Sequence, residues 1–225
     1  HMPSRRQRQM CIRDRLPEHS RWFIKYFSNE GDLVCDNTCG RGTNLLAAAY
    51  ERRRITGFDL NKNNLDCIRE ALTDHIGLSE VDFKLFHSCG VEMVEYAERE
   101  EIFDLFINDI PYILSAEKYN DDPRDLGNIR NLDQFYSKVE VMMTNMKRLV
   151  KKSDYDKGIF KPIIMKVGSQ RRGDKGLIDM ATDIEMIARK IGLTLHDKIF
   201  NELRPSMQSY ICLLYTSPSP RDKRL

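Results

Sequence analysis

The chain has 225 residues, 41% hydrophobic and 31% charged, a balance that fits one soluble domain with a full core. No apolar run approaches membrane-spanning length and nothing marks a secretory signal, so no membrane partner is expected and the expected location is the cytoplasm of a prokaryotic or viral host cell. Residues 1–15 carry five Arg against Asp14 and residues 210–225 carry three basic residues against Asp222, so within a total of +2 residues 16–209 come to −4, and no global basic field argues for nucleic acid.

Both ends have an unusual texture. Arg6 to Arg15 and Ile211 to Asp222 resemble peptides translated from sequencing-adaptor DNA, and His1-Met2 resembles a cloning scar. The domain is therefore expected over 16–214, with 1–15 and 215–225 outside it. Neither basic tail is read as a nucleic-acid arm, the other reading being a natural disordered tail.

A helix is expected from Pro17, where Trp22, Phe23, Tyr26 and Phe27 recur at helical spacing as a core-packing stripe that ends at Ser28-Asn29-Glu30-Gly31. Gly31 to Thr43 then reads as strand (32–36), tight loop and helix (43–52). Gly40 and Gly42 permit a sharp turn and close ligand approach, and the following helix offers free N–H groups to the same spot. A second strand (54–59) ends on Asp59, placed where a nucleotide-type cofactor presents ribose hydroxyls. The bland alternative is an ordinary Gly-containing turn.

A helix over 62–75 with Asn61 as N-cap follows, then a strand (82–87) leading into a short helix. His87 ends that strand within reach of the cofactor or in plain packing. A strand over 103–108 runs into the Asp109 loop. Residues 113–130 read as a long mobile loop beside the site, and 132–150 as an amphipathic helix with Leu132, Phe135, Val139, Met142, Met146 and Leu149 on one face. Ile159–Val167 reads as a strand interrupted by Pro162, with a Gly168-Ser169-Gln170 loop beyond it. Leu177 to Ile191 reads as a helix stopped by Gly192. Leu193–Leu203 and Met207–Leu214 read as a final hairpin that recruits part of the adaptor-like segment.

The alternation of strands and helices gives an α/β three-layer sandwich without repeat, linker or second domain. The cysteines show no C-x-x-C pair and no matched His spacing, so they are expected as small buried residues rather than metal ligands or bridges.

Asp36 to Thr43 resembles the "DPFxGxGT" cofactor motif of amino-group S-adenosylmethionine-dependent nucleic-acid methyltransferases, and Phe106 to Tyr112 resembles their catalytic "DPPY" motif. The resemblance runs from about Pro17 to about Pro205. Asn37-Thr38 stand where the family has Pro-Phe, and Ile110 stands where it has Pro. The resemblance implies a Rossmann-like class I fold with a mostly parallel seven-stranded sheet, in which only the last inserted strand is antiparallel. It implies S-adenosylmethionine as cofactor, with Asp36, Asn37, Cys39, Gly40, Gly42 and Thr43 around the methionine part, Asp59 on the ribose, Leu60 against the adenine and Ser88 near the adenine amino group. The lead-in helix would help close the methionine end. No block is long enough for a separate target-recognition domain, so a homodimer or a specificity partner is compatible with the chain.

An exocyclic amine is a weak nucleophile because its lone pair is delocalised. Two acceptors must hold its N–H bonds and aim the nitrogen at the methyl sulfonium. Asp109 can supply a carboxylate oxygen and Ile110 its carbonyl. Pro111 stiffens the loop, and Tyr112 would stack on the planar target. Ile110 adds an N–H and loosens φ. Arg171 and Arg172 can meet substrate phosphates, or form a solvated pair near Asp174. The leading expectation is methylation of adenine or cytosine in DNA, or in RNA. The others are methylation of another planar amine, such as a protein glutamine or a small molecule, and a partner subunit that binds cofactor without catalysis. A dehydrogenase is disfavoured because Leu45 stands where G-x-G-x-x-G needs its third glycine.

Overall fold

The computed structural model describes residues 18–79, 81–97, 99–111, 120–172, 176–201 and 210–216, with only the backbone course for 170–172, 201 and 210–216. Expectations for residues 1–15, 113–119 and 217–225 and for Tyr112 lie outside the described residues, while residues 215 and 216, expected outside the domain, continue β9.

Nine strands and five α-helices are described: α1 (Glu18–Phe27), β1 (Leu33–Asp36), α2 (Thr43–Tyr50), β2 (Arg54–Asp59), α3 (Lys62–Glu70), β3 (Phe83–His87), β4 (Leu105–Asp109), α4 (Leu132–Leu149), β5 (Ile163–Val167), β6 (Gln170–Arg172), β7 (Gly176–Ile178), α5 (Met180–Lys190), β8 (Thr194–Asn201) and β9 (Tyr210–Thr216). The main sheet runs β3-β2-β1-β4-β5-β9-β8. The sheet expected with seven strands has five in its parallel body, β3 to β5, and the remaining two follow across antiparallel pairings of β9 with β5 and with β8.

The parallel strands are apolar on both faces, and alternation divides their side chains between two cores. Cys35, Phe58, Phe106, Ile163 and Met165 pack with α4 and α5. Val34, Ile55, Leu105, Ile107 and Ile164 pack on the other side with α1, α2 and α3. Side-chain caps start the helices where the sequence offers Asx residues: Asn61 accepts from Asn63 N, Asn131 from Gln134 N and Asp179 from Thr182 N.

Several boundaries differ from the sequence reading. Pro162 has no N–H to give a ladder, so β5 starts at Ile163 rather than at 159. The Asp179 cap sets the start of α5 at Met180, leaving Leu177 in β7. Arg171 and Arg172 lie on a strand of a two-stranded hairpin, β6 with β7, and not in a loop. The second half of the expected mobile loop is a bonded turn. Asn120, Asp122 and Asp125 side chains accept from backbone N–H groups or one another, and Leu126 and Ile129 are buried beneath them. In α1 only Phe23 and Phe27 of the aromatic stripe face the core. Trp22 and Tyr26 are 47% and 70% exposed and stack on each other beside a groove of about 440 Å³ also lined by Glu18, Arg21 and Lys25.

Candidate active site

Strands β1, β2, β3, β4 and β5 are parallel and end at Asp36, Asp59, His87, Asp109 and Val167, so their carboxyl ends form one edge. Strand order reverses between β1 and β4, the place where open α/β sheets leave a ligand crevice. The loop after β1 therefore meets the loop after β4.

The β1 loop turns because Gly42 sits at φ +81 and Gly42 N donates to Cys39 O at 2.7 Å. A Cβ at Gly42 would stand 2.4 Å from Ile68 Cγ1, so the turn needs glycine for both conformation and room. Gly40 has nothing within 4 Å of the place where a side chain would begin, which leaves its main chain open to a ligand. Thr43 begins α2, and the free N–H groups of that first turn face the same loop.

The site residues divide into an inner and an outer set. Asp36, Asn37 and Cys39 are buried. Asp36 Oδ1 accepts from Thr38 N at 3.1 Å and Oδ2 from Asn44 Nδ2 at 2.7 Å. Burial pushes its carboxyl up to about 7, against the Asn44 and Thr38 hydrogen bonds and the Lys166 charge. Asn37 Nδ2 donates to Gly90 O at 3.2 Å, and its Oδ1 accepts from Asn108 Nδ2 at 2.8 Å. These side chains brace the loop from within.

Gly40, Thr43, Asp59 and Leu60 are half-buried and form the outer set. Asp59 accepts from Gly40 N and Asn61 N, both at 2.7 Å, and from Asn64 Nδ2 at 3.3 Å. A carboxylate has about four acceptor positions, so one remains for a hydroxyl. Burial raises the Asp59 carboxyl, with the Asn61 and Gly40 bonds opposing. Ser88 is buried at the end of β3 and its hydroxyl has no hydrogen-bond partner. An open Gly40 backbone, a spare acceptor on Asp59 and an orphaned hydroxyl at Ser88 fit a ligand with a sugar and a polar heterocycle. His87 Nε2 lies 3.0 Å from Leu60 O and holds that ledge.

At the end of β4, the Asp109 side chain is exposed and the Ile110 side chain is buried in the core. Although the residue keeps exposed surface at the strand end, desolvation of its carboxyl by the surrounding protein pushes Asp109 up, and the Lys166 charge opposes this. Ile110 N donates to Lys166 O at 3.3 Å, so the N–H that proline would lack is in use. Pro111 is half-buried behind it.

Three polar residues escaped the sequence reading: Ser20, Asn44 and Lys166, all buried. Lys166 Nζ donates to Ser20 Oγ at 2.9 Å and to Asn44 Oδ1 at 2.5 Å. The available signal was a charged residue inside the apolar run Ile163-Ile164-Met165-Lys166-Val167. Among the described residues, no cluster of His, Cys, Asp and Glu could hold a metal ion, and no helix is long and apolar enough to cross a membrane. Cys35, Cys39 and Cys89 are buried thiols without a bridge.

No family model matches the chain, and no curated protein matches it in sequence. Solved structures match its fold. TrmN from Thermus thermophilus gives a TM-score of 0.64 at 12% identity over 94% of this chain and 52% of the other, so the chain spans about half of that protein. An rRNA methylase from Streptococcus thermophilus gives 0.57 at 12% identity, covering 92% and 99% of the two chains. Magnesium protoporphyrin IX methyltransferase from Synechocystis, solved with bound S-adenosylmethionine, gives 0.58 at 12% identity, covering 94% and 80%. The fold is the Rossmann-like methyltransferase fold with a parallel sheet.

Proposed function

We propose that the chain is an S-adenosylmethionine-dependent methyltransferase acting on the exocyclic amino group of adenine or cytosine in DNA. The observation that carries this reading is the hydrogen bond from the Thr38 hydroxyl to the Asp109 carbonyl at 3.1 Å, which joins the glycine loop to the Asp109-Ile110-Pro111 segment. A cofactor group and an amine acceptor are then side by side. The resemblance of both loops to amino-methyltransferase motifs and the fold shared with a structure holding S-adenosylmethionine support the same reading.

In this reading Gly40, Gly42 and Thr43 hold the methionine part, Asp59 the ribose and Leu60 and Ser88 the adenine. Bound there, S-adenosylmethionine supplies an electrophilic methyl on sulfur. Asp109 Oδ accepts one N–H of the target amine and the Ile110 carbonyl the other, so the nitrogen lone pair is aimed rather than left in the ring. The Thr38 hydroxyl and the Lys166 carbonyl fix the peptide between Asp109 and Ile110 from two sides, so that little reorganisation is needed at transfer. Arg171 and Arg172 would contact backbone phosphates, and a second copy or a specificity partner would share in target selection.

RNA is the second reading, favoured by the likeness to the Streptococcus thermophilus rRNA methylase. Mass spectrometry of nucleosides from host DNA and RNA after expression, beside an Asp109→Ala control, decides between them. A methylated amino-base should appear in DNA and vanish with the variant. A signal confined to RNA selects the second reading, and no signal in either removes both.

A further inference from the structure

Lys166 is a charged residue on the central strand β5, 4% exposed, and the parallel register sets it opposite Asp109 on β4. In a parallel pair such partners project to the same face of the sheet. Its ammonium donates to Ser20 Oγ on α1 and Asn44 Oδ1 on α2. Ser20 Oγ also donates to Asn44 Oδ1 at 2.9 Å, and Asn44 Nδ2 passes the chain on to Asp36 Oδ2. Neither tether is charged. Burying an ammonium on two neutral acceptors is costly unless anions lie near, and two do: Asp36 on β1 and Asp109 on β4, each under the electrostatic influence of Lys166. Among the described residues Lys166 also acts on His19 of α1, which burial and the Lys166 charge keep neutral, its pKa lowered to about 4.

We propose that Lys166 is a positioning residue of this site: its ammonium, fixed by Ser20 and Asn44, is the shared counter-charge that favours the carboxylate forms of Asp36 in the loop brace and of Asp109 at the amine. The part concerning Asp109 rests on the methyl-transfer reading above. The arrangement explains why a cation lies inside an apolar strand with no ion pair of its own among the described residues.

The test uses the full chain without cofactor, its aspartates labelled with 13C at the carboxyl, titrated by NMR in wild type, Lys166→Met and Ser20→Ala. Removing the charge should move the Asp36 and Asp109 midpoints upward by one pH unit or more. Ser20→Ala, which frees one tether and keeps the charge, should move them less and in the same direction. The acidic limb of the single-turnover rate should follow the Asp109 midpoint. Unchanged midpoints in folded Lys166→Met overturn the proposal, and if that variant does not fold, unchanged midpoints in Ser20→Ala do so. Shifted midpoints with no methyl transfer by wild type on any nucleic acid would keep the counter-charge and remove the reaction.

Discussion

Thr38 and Asp109, 71 residues apart in sequence, are hydrogen-bonded to each other: the Thr38 hydroxyl accepts from Asn108 Nδ2 at 2.7 Å and donates to the Asp109 carbonyl at 3.1 Å. One small side chain thereby sets the peptide on which the proposed amine acceptors sit. Thr38→Val keeps the shape and removes both bonds. It should cost about 1 kcal/mol of stability and lower methyl transfer by roughly tenfold to a hundredfold, while Thr38→Ser stays near wild type. Equal single-turnover rates for the Val and Ser variants would show that the bond does not position the loop.

Asp109→Ala should abolish methyl transfer and leave cofactor affinity nearly unchanged, because the side chain lies outside the glycine loop and Asp59. Loss of a preorganised acceptor costs on the order of a hundredfold to a thousandfold in rate. Calorimetry with S-adenosylmethionine and a single-turnover assay separate the two effects. Wild-type turnover in the variant would remove Asp109 from the chemistry.

Ile110 occupies the place of a proline in the motif it resembles, which suggests that Ile110→Pro should be harmless. The structure argues otherwise. The Ile110 N–H bonds Lys166 O and its side chain is 3% exposed in the α4 core. Proline loses the bond and part of the buried volume, for a destabilisation on the order of 2–4 kcal/mol. A chemical denaturation midpoint equal to wild type would show that the loop adapts.

The buried Asp36 carboxyl, pushed up chiefly by burial to about 7 from 3.8, binds a proton more firmly in the folded state than in the unfolded chain. Its contribution to stability is present below about pH 4 and is lost as pH rises to about 7. Because His19 is lowered to about 4 by burial and by Lys166, its contribution runs the other way and is lost as pH falls from 6.5. The difference in unfolding free energy between wild type and Asp36→Asn isolates the first effect. It should decline by a few kcal/mol from pH 4 to pH 7. A flat difference would mean that Asp36 stays ionised throughout.

Strand β9 is paired on both sides, with β5 along Ile163–Val167 and with β8 along Thr194–Asn201. A chain ending at Ser209 would expose the ladders of two strands at once. It should melt well below the full chain and aggregate through those edges. An unchanged melting temperature would show that β9 is dispensable.

Much of this architecture is legible in the sequence because it is local. Gly31 to Thr43 declares strand, turn and helix by its apolar run and glycines, and Asn61 announces the start of α3. What stays hidden depends on distance along the chain. Ser20 and Lys166 are 146 residues apart, and Asn44 and Lys166 are 122, so no periodicity joins them. The three-residue strands β6 and β7 are too short to show alternation, which is why Arg171 and Arg172 read as loop. Trp22 and Tyr26 read as core because spacing reports a helix face and not what covers it.

The helical turn that begins at Gly90, just beyond β3, approaches the β1 loop so closely that a Cβ at Gly90 would lie 1.6 Å from the Asn37 carbonyl oxygen, while Asn37 itself is clasped by Gly90 O and Asn108. The β1 loop, the segment beginning at Gly90 and strand β4 are thus interlocked at one residue with no slack for a methyl group. Change at position 90 cannot be absorbed by repacking a flexible side chain, since the obstacle is main chain. Under mutational drift, positions 37, 90 and 108 would have to travel together or stay still, and an engineer grafting either loop into another scaffold would have to transplant all three.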